Sequence, residues 1–256
     1  MSLGYLVDID GVLRIGDKPI PQAVEFVSTL QSLGIPFLLV TNNSTRSPSD
    51  NKAMLEGLGL YVSERSIVTS AVVSADYVRS SKEGARAYVV GESGLKSAME
   101  EDGIIMDDSD PDFVVVGWDR KFTYEKMKTA ALAIRGGAGY IATNTDSSFP
   151  MPEGLVPGAG AIVASISTAT DREPIVMGKP NPPIFKYAMS RLGGRFEDLV
   201  MIGDRYGTDI AGAMKLNIGS IMVTTGVSRP EDIPIDGPWP DRIVDSLSEV
   251  DPEAPL

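Results

Sequence analysis

The chain has 256 residues, and 23 lysine and arginine residues against 35 aspartate and glutamate residues give it a net charge of −12. This acidity disfavours a protein that tracks nucleic-acid phosphates, and a hydrophobic share of 43% predicts a folded core. With neither cysteine nor histidine, the sequence excludes disulfides, thiolate nucleophiles, imidazole bases and metal sites built from those ligands.

Short apolar runs, typical of buried parallel strands, alternate along the chain with segments of helical period. The predicted strands, in chain order, are 6–7, 37–40, 88–90, 113–116, a short strand at 141, 175–176, 199–202, 220–223 and a short strand at 243. Helix starts are predicted after Ser47, after Thr123 and at Pro183, and apolar spacing predicts a helix over 24–33. Such alternation predicts an α/β fold with a mainly parallel sheet.

The middle of the chain carries its own set of strands and helices and separates the first two candidate motifs from the last two. We therefore predict a doubly wound, parallel-sheet core from residues 1–81 and 178–256, with a second α/β domain inserted over 82–177. No run approaches the roughly 18 apolar residues of a membrane span, and Asp8 comes too early for a secretory leader. We expect a soluble, cytoplasmic protein with no membrane partner.

Two predicted strands end in aspartates. Asp8 and Asp10 follow the first strand, and Asp204 follows a later buried strand, with Asp209 placed to cap the next helix. Ligands of open α/β sheets bind beyond the carboxyl ends of the strands, although Asp-X-Asp-Gly alone is equally typical of a solvated turn. Two acidic strand ends in a chain without histidine indicate a hard cation such as Mg²⁺, which also neutralises crowded carboxylates.

Two further segments offer groups that stabilise an oxyanion. Thr41, Asn42 and Asn43 follow the second predicted strand with hydroxyl, amide and turn N–H donors, and Lys179 stands between a glycine and a proline. Each segment alone is more often a polar loop or a surface lysine. Together, the four segments supply donors, a cation, carboxylates and an implied metal, which are the groups that phosphoryl transfer requires.

In this order, the four segments resemble the motifs of the haloacid dehalogenase-like phosphohydrolase superfamily. Val116–Asp119, Ala142–Asp146 and Pro157–Ala161 resemble its NagD-like, para-nitrophenyl phosphatase-like branch, in which a large α/β cap is inserted into a Rossmann-like core. The chain departs from that branch at Thr145, where proline is common, and at Trp118, where a smaller aliphatic residue is usual. Both departures lie in the predicted cap, so they bear on the choice of substrate.

The resemblance implies a role for each carboxylate. Asp8 would be the nucleophile that forms an aspartyl-phosphate, and Asp10 would protonate the leaving oxygen and then activate water. Mg²⁺ would be held by Asp8, by the backbone carbonyl of Asp10 and by Asp204, with Asp209 supporting these ligands from behind. Lys179 would stabilise charge on the transferring group and on the nucleophile.

The resemblance also implies contacts to the substrate. Thr41, Asn42 and Asn43 would bind the phosphoryl oxygens. Asn144, Asp146 and Glu153 lie in a predicted loop that would contact the leaving group, although asparagine and aspartate are equally typical of a plain turn. The substrate would be a small phosphate ester, and the sequence does not choose among nucleotide, sugar, phosphoglycolate and pyridoxal phosphates. Enzymes of this resemblance are commonly homodimers, but no apolar stripe demands one here.

The sequence features bear on four other functions. A dehalogenase would lack a carboxylate at the place of Asp10, whereas a phosphomutase would keep it, although the large cap usually accompanies hydrolysis. A receiver-like signalling module also combines acidic strand ends, Mg²⁺, threonine and lysine, but it needs no cap and about half this length. A binding protein that has lost catalysis is disfavoured because every motif residue is present. We therefore expect a Mg²⁺-dependent phosphatase, with para-nitrophenyl phosphate as an artificial substrate.

Overall fold

The computed structural model describes residues 4–151 and 154–256, so the predicted loop residue Glu153 lies outside the described residues. The strands are β1 (Gly4–Val7), β2 (Arg14–Ile15), β3 (Lys18–Pro19), β4 (Phe37–Thr41), β5 (Ile67–Thr69), β6 (Arg86–Val90), β7 (Ile105–Met106), β8 (Phe113–Val116), β9 (Gly139–Ala142), β10 (Ser148–Met151), β11 (Gly154–Pro157), β12 (Ile175–Val176), β13 (Leu199–Gly203), β14 (Gly219–Val223) and β15 (Arg242–Val244). The helices are α1 (Pro21–Leu33), α2 (Pro48–Gly57), α3 (Ser70–Ser81), α4 (Ser93–Glu101), α5 (Tyr124–Arg135), α6 (Ala159–Thr170), α7 (Pro182–Leu192) and α8 (Ala211–Met214). Every predicted strand is present, with ends that shift by at most two residues.

The predicted helix starts are confirmed by their caps. The Thr123 hydroxyl accepts the Lys126 amide at 3.3 Å at the start of α5, and the Ser47 hydroxyl accepts the Asp50 amide at 3.1 Å at the start of α2. Helix α7 begins at Pro182, one residue earlier than predicted, because the fixed φ of proline suits the first helical position.

The chain folds into two compact units, and the first comprises the described residues up to 41 together with 51–68 and 179–256. Its six-stranded sheet has the order β15-β14-β13-β1-β4-β5, and β1 runs parallel to both β13 and β4. Val7, Leu39 and Ile202 are fully buried in its core. Since neighbouring central strands are parallel, the ends of β1, β4 and β13 lie at one edge of the sheet.

The second unit comprises residues 42–50 and 69–178. It contains a parallel sheet of order β12-β9-β8-β6-β7 and an antiparallel hairpin of β10 and β11. The Trp118 ring packs 4.8 Å from the Phe149 ring and joins the apolar core of this unit. The predicted α/β class with parallel sheets and flanking helices is confirmed, while the domain boundaries given above stay a prediction.

The described helices are too short to cross a membrane. Within residues 4–151 and 154–256, none combines the length and hydrophobicity that crossing a bilayer would take. The longest, α1, has 13 residues and is amphipathic rather than uniformly apolar, with Ala23, Phe26, Val27 and Leu30 buried on one face.

Candidate active site

Three aspartates of the first unit meet at the carboxyl ends of its central strands. Asp8 follows β1, and its amide donates to the Ile202 carbonyl of β13 at 2.9 Å, so the parallel register places Asp8 beside the end of β13. Asp204 follows β13 directly. Carboxylate oxygens of Asp8, Asp204 and Asp209 lie within 4.8 Å of one another, and all three residues are buried.

Asp209 reaches this cluster from a wide, π-type helical turn over Tyr206–Ile210. The expectation that it caps a helix start is wrong, because Asp209 lies inside the turn and its Oδ2 accepts the Arg205 amide at 3.1 Å. A Cβ on Gly203 would lie 2.2 Å from the Asp209 Cβ, so only glycine fits at the end of β13. The turn therefore holds the Asp209 carboxylate close against the strand end.

Lys179 connects the carboxylates to the neighbouring strand. Its side chain is only 2% exposed, and Nζ lies 2.6 Å from Asp8 Oδ1, 2.7 Å from Asp209 Oδ1 and 2.8 Å from the Val40 carbonyl oxygen of β4. Three acceptors on three different segments orient one ammonium group. The structure thus brings the predicted lysine into direct contact with the predicted nucleophile.

The cluster places three buried carboxylates beside a single lysine, and this excess of negative charge shifts the pKa values of its members. Burial raises the pKa of Asp8 well above its ordinary value; Lys179 opposes this rise, and the carboxylates of Asp209 and Asp204 add to it. Burial and the Asp209 carboxylate raise the pKa of Asp204 to about 6. Burial alone would lower the pKa of Lys179, but Asp209 and Asp8 outweigh burial and raise it, which keeps the lysine charged.

The Asp204 surroundings fit a hard metal ion. Asp204 Oδ2 accepts the Val227 amide at 2.7 Å, whereas the buried Oδ1 has no hydrogen-bond partner among the described residues. A Cβ on Gly11 or Gly226 would lie 2.3 Å or 1.9 Å from Asp204 Oδ2, so the backbone approaches this carboxylate closely. Several clustered carboxylate oxygens, one of them without a partner, are a donor set that suits Mg²⁺.

Asp10 lies two residues beyond Asp8 and has a different environment. Its side chain is 31% exposed, and its Oδ1 lies 2.5 Å from Nη2 of Arg14. The Gly11 amide donates to the Arg14 carbonyl at 2.8 Å, which closes a tight turn between the two charged residues. Sequence reasoning did not single out Arg14, although an arginine four residues after a motif aspartate was a signal that could have identified it.

Asn42, the first residue of the second unit, is held from three directions. Its carbonyl accepts the Ser70 hydroxyl at 2.7 Å and the Asn144 side-chain amide at 2.8 Å. Its own side-chain amide donates to Asp146 Oδ2 at 3.2 Å, and the Asp146 amide donates to Asn144 Oδ1 at 3.1 Å. The structure thus brings together three predicted substrate-binding residues, Asn42, Asn144 and Asp146, through contacts with one another.

Hydrogen bonds and close packing also hold Asn43 and the loop that carries Asp146. Asn43 Oδ1 accepts the Thr45 amide at 3.0 Å and the Thr45 hydroxyl at 2.7 Å, which fixes the loop as an Asx turn. A Cβ on Gly160 would lie 2.3 Å from the Thr145 carbonyl oxygen, so the small-residue start of α6 allows close packing on the loop that carries Asp146. Thr41, the last residue of β4, is buried in the first unit.

Comparison with protein families gives two matches that together cover most of the chain. Residues 5–105 match the model of the haloacid dehalogenase-like hydrolases, and residues 176–250 match a second, HAD-hydrolase-like model. The first range includes Asp8 and Asp10, and the second includes Lys179, Asp204 and Asp209. Only together do the two matches therefore include all the residues that form the carboxylate cluster.

Individual relatives agree with the family match. The chain is 39% identical over 246 residues to the 5'-nucleotidase YutF of Bacillus subtilis, with 96% of each chain covered. NagD from Escherichia coli K-12 has a similar structure, with a TM-score of 0.92 at 34% identity over 98% of this chain and 100% of that one. The 4-nitrophenylphosphatase of Thermotoga maritima also has a similar structure, with a TM-score of 0.92 at 35% identity over 97% of this chain and 95% of that one. This chain therefore belongs to the haloacid dehalogenase-like hydrolases, in the branch that contains NagD and the para-nitrophenyl phosphatases.

Proposed function

We propose that this hydrolase is a Mg²⁺-dependent phosphatase that hydrolyses small phosphate monoesters through an aspartyl-phosphate on Asp8. The observation that carries the proposal is the buried Asp8 carboxylate, which lies 2.6 Å from Lys179 and within one cluster with Asp204 and Asp209. Relatives named as a 5'-nucleotidase and a 4-nitrophenylphosphatase support the reaction class.

In the first half-reaction, an oxygen of Asp8 attacks the phosphorus of the ester. The bond between phosphorus and the ester oxygen breaks, its electron pair stays on that oxygen, and Asp10 supplies the proton that neutralises it. Asp8, Asp204 and the Asp10 backbone carbonyl would hold Mg²⁺, whose positive charge would offset the repulsion between a carboxylate and a phosphate dianion. Lys179 stays protonated and stabilises negative charge on Asp8 and the phosphoryl group.

In the second half-reaction, the Asp10 carboxylate takes a proton from a water molecule as the water oxygen attacks phosphorus. The bond between phosphorus and Asp8 breaks, and its electron pair returns to Asp8 as a carboxylate. Inorganic phosphate leaves, and Asp10 is protonated again for the next cycle. Two carboxylates are needed because one is covalently occupied while the other activates water.

The substrate contacts belong to the same proposal. Thr41, Asn42 and Asn43 would donate hydrogen bonds to the phosphoryl oxygens, and Asn144 and Asp146 would contact the leaving group. The contacts that hold Asn42 support a rigid loop, because a donor that is already oriented loses little entropy on binding. A homodimer, the absence of a nucleic-acid partner and a cytoplasmic location stay predictions.

The proposal is tested with para-nitrophenyl phosphate and purified wild type, Asp8→Asn and Asp236→Asn. Asp236 is exposed and lies outside the cluster, so its substitution controls for the loss of one aspartate. We expect turnover by wild type and Asp236→Asn that disappears on chelation and returns with Mg²⁺, and almost none by Asp8→Asn.

Acid quenching during turnover of a radiolabelled ester should trap labelled protein only where Asp8 is present. Equal turnover by Asp8→Asn and wild type would remove Asp8 from the mechanism. Full activity of the wild type in the presence of a chelator would show that the reaction does not depend on a metal ion. Hydrolysis of a panel of nucleotide and sugar monophosphates would then rank the natural substrates.

A further inference from the structure

Arg14 is a buried cation beside the proposed acid and base, and no step above uses it. Its side chain is 8% exposed, although an isolated arginine is normally solvated. Its Nε is buried without a hydrogen-bond partner among the described residues. A buried, unpartnered donor is unfavourable, so the position of this guanidinium calls for a reason beyond stability.

Both the backbone and the side chain tie Arg14 to the aspartate motif. The Arg14 amide donates to the Ile9 carbonyl at 3.3 Å, and the Arg14 carbonyl accepts the Gly11 amide at 2.8 Å. At the other end, Nη1 donates to the Gly16 carbonyl at 2.6 Å while Nη2 contacts Asp10 Oδ1 at 2.5 Å. The planar guanidinium is thus held at two points, which a single lysine ammonium would not reproduce.

The Asp10 carboxylate depends on this contact for its orientation. Within residues 4–151 and 154–256, the structure shows no ion pair to the Asp10 side chain other than that with Arg14. A partly exposed carboxylate without such a partner would sample several rotamers. A group that transfers a proton must lie within hydrogen-bond reach, and a displacement of about 1 Å can cost about 100-fold in rate.

We infer that Arg14 is a positioning residue that holds the Asp10 carboxylate in place to deprotonate the water that hydrolyses the aspartyl-phosphate. This inference rests on the proposed function. The contact with Arg14 Nη2 fixes where Asp10 Oδ1 lies, and with a leaving group that needs little protonation this position matters most when Asp10 takes a proton from water. Arg14 therefore acts mainly on the second half-reaction, in which water gives its proton to Asp10 and phosphorus separates from Asp8.

An ordinary ion pair within one turn is the alternative. Exposed pairs at this spacing contribute little to stability and nothing to chemistry. Arg79 makes such an exposed pair with Asp76, three residues away; its Nε also lies 3.6 Å from Asp102 Oδ2, and its side chain is 53% exposed. Arg79→Gln is therefore a matched control that removes an arginine–aspartate pair far along the chain from the aspartate motif.

The test separates the two half-reactions by rapid mixing of para-nitrophenyl phosphate with wild type, Arg14→Gln, Arg14→Lys and Arg79→Gln. Para-nitrophenolate is a stable anion that needs little protonation, so formation of the aspartyl-phosphate should survive the loss of Arg14. We expect Arg14→Gln to release about one para-nitrophenolate per active site in a burst. Hydrolysis of the aspartyl-phosphate that accumulates in this burst should then be slower than in wild type by about 10-fold to 100-fold.

Arg14→Lys keeps a cation but loses one of the two bonds, so we expect a smaller slowing in the same step. Arg79→Gln should match wild type in both steps. A merely structural role for Arg14 would lower both steps together, or the active fraction, and would overturn the inference. An unchanged rate of aspartyl-phosphate hydrolysis in both Arg14 variants would also overturn the inference. If Arg14→Gln does not fold, the rate of this step in Arg14→Lys alone decides the outcome.

Asp8→Asn in the same experiment distinguishes the two levels of the proposal. Turnover by Asp8→Asn equal to that of wild type would overturn the proposed function and, with it, the role of Arg14. Turnover that depends on Asp8, combined with no selective slowing in the Arg14 variants, would overturn the role of Arg14 alone.

Discussion

Asp8 and Asp10 are separated by one residue, yet the structure makes them chemically different groups. Asp8 is buried at the end of β1 and contacts the lysine of another segment, whereas Asp10 is partly exposed and pairs with an arginine of its own turn. Burial with fixed partners suits a nucleophile whose direction of attack must not vary. Partial exposure suits a group that exchanges protons with a leaving group and with water.

The difference arises from where each partner lies in the chain. Lys179 is 171 residues from Asp8, so only the folded sheet brings the two together. Arg14 is four residues from Asp10, and the turn alone places it there. A site that combines a long-range ion pair with a local one can fix its nucleophile and still leave its proton carrier accessible.

Replacing Asp8, the proposed nucleophile, should have the largest effect. Asp8→Asn keeps the shape of the side chain but removes the attacking charge, so we expect turnover of para-nitrophenyl phosphate to fall by more than about 1,000-fold. Circular dichroism should show an unchanged fold. A fall of less than about tenfold would mean that Asp8 and Asp10 do not differ in the way described above.

Replacing Asp10, the proposed proton carrier, should give a smaller and selective loss. We expect Asp10→Asn to slow hydrolysis of the aspartyl-phosphate by about 100-fold to 10,000-fold, since general acid–base catalysis contributes that much. Acid-quenched protein should carry more label than wild type under the same conditions. Less label on the variant together with slower turnover would instead place Asp10 in the first half-reaction alone.

Removing the long-range ion pair tests stability rather than chemistry. Lys179→Met leaves Asp8 and Asp209 buried without their cation, and we expect a loss of about 3–5 kcal/mol in the free energy of unfolding. Urea unfolding at neutral pH with a chelator measures this loss. Lys52→Met, which breaks an exposed pair with Glu56, should cost no more than about 0.5 kcal/mol.

The smallest expected effect is a pH dependence of stability in the absence of metal. The pKa of Asp204 is raised to about 6, above the roughly 3.9 of an unfolded chain, so protonation favours the folded state. The stabilisation is complete below about pH 4 and is lost as the pH rises through 6. Asp204→Asn lacks this titration.

The free energy of unfolding of Asp204→Asn minus that of wild type should therefore rise from pH 4 to pH 7 and then level off. Thermal or urea unfolding across this range measures the difference. Added Mg²⁺ should stabilise wild type most at the higher pH, where the carboxylates are ionised, and Asp204→Asn much less. A flat difference across the range would contradict the raised pKa.

Local patterns were sufficient to predict most of the secondary structure and the core motifs. The apolar runs at 37–40, 113–116 and 199–202 predicted strands correctly because a strand buried on both faces needs apolar side chains throughout. Thr123 predicted a helix start correctly because its hydroxyl satisfies an amide of its own first turn. The strands β2, β3, β5 and β7 and the β10–β11 hairpin were not predicted, although β12 and β15 are as short and were predicted, because segments of two to four residues carry too little periodicity to distinguish strands from turns consistently.

The sequence by itself determined which chemical groups are present, the order of the motifs, the alternation of strands and helices, and the family to which the chain belongs. Only the tertiary structure decided how those groups are paired. It placed Lys179 against Asp8 and Asp209. It also brought Asn144 and Asp146, which lie 102 and 104 residues from Asn42 in the chain, into contact with Asn42. Such pairs depend on strand order and register, which arise from packing of the whole sheet, whereas helix caps and strand patterns depend on neighbours a few residues away.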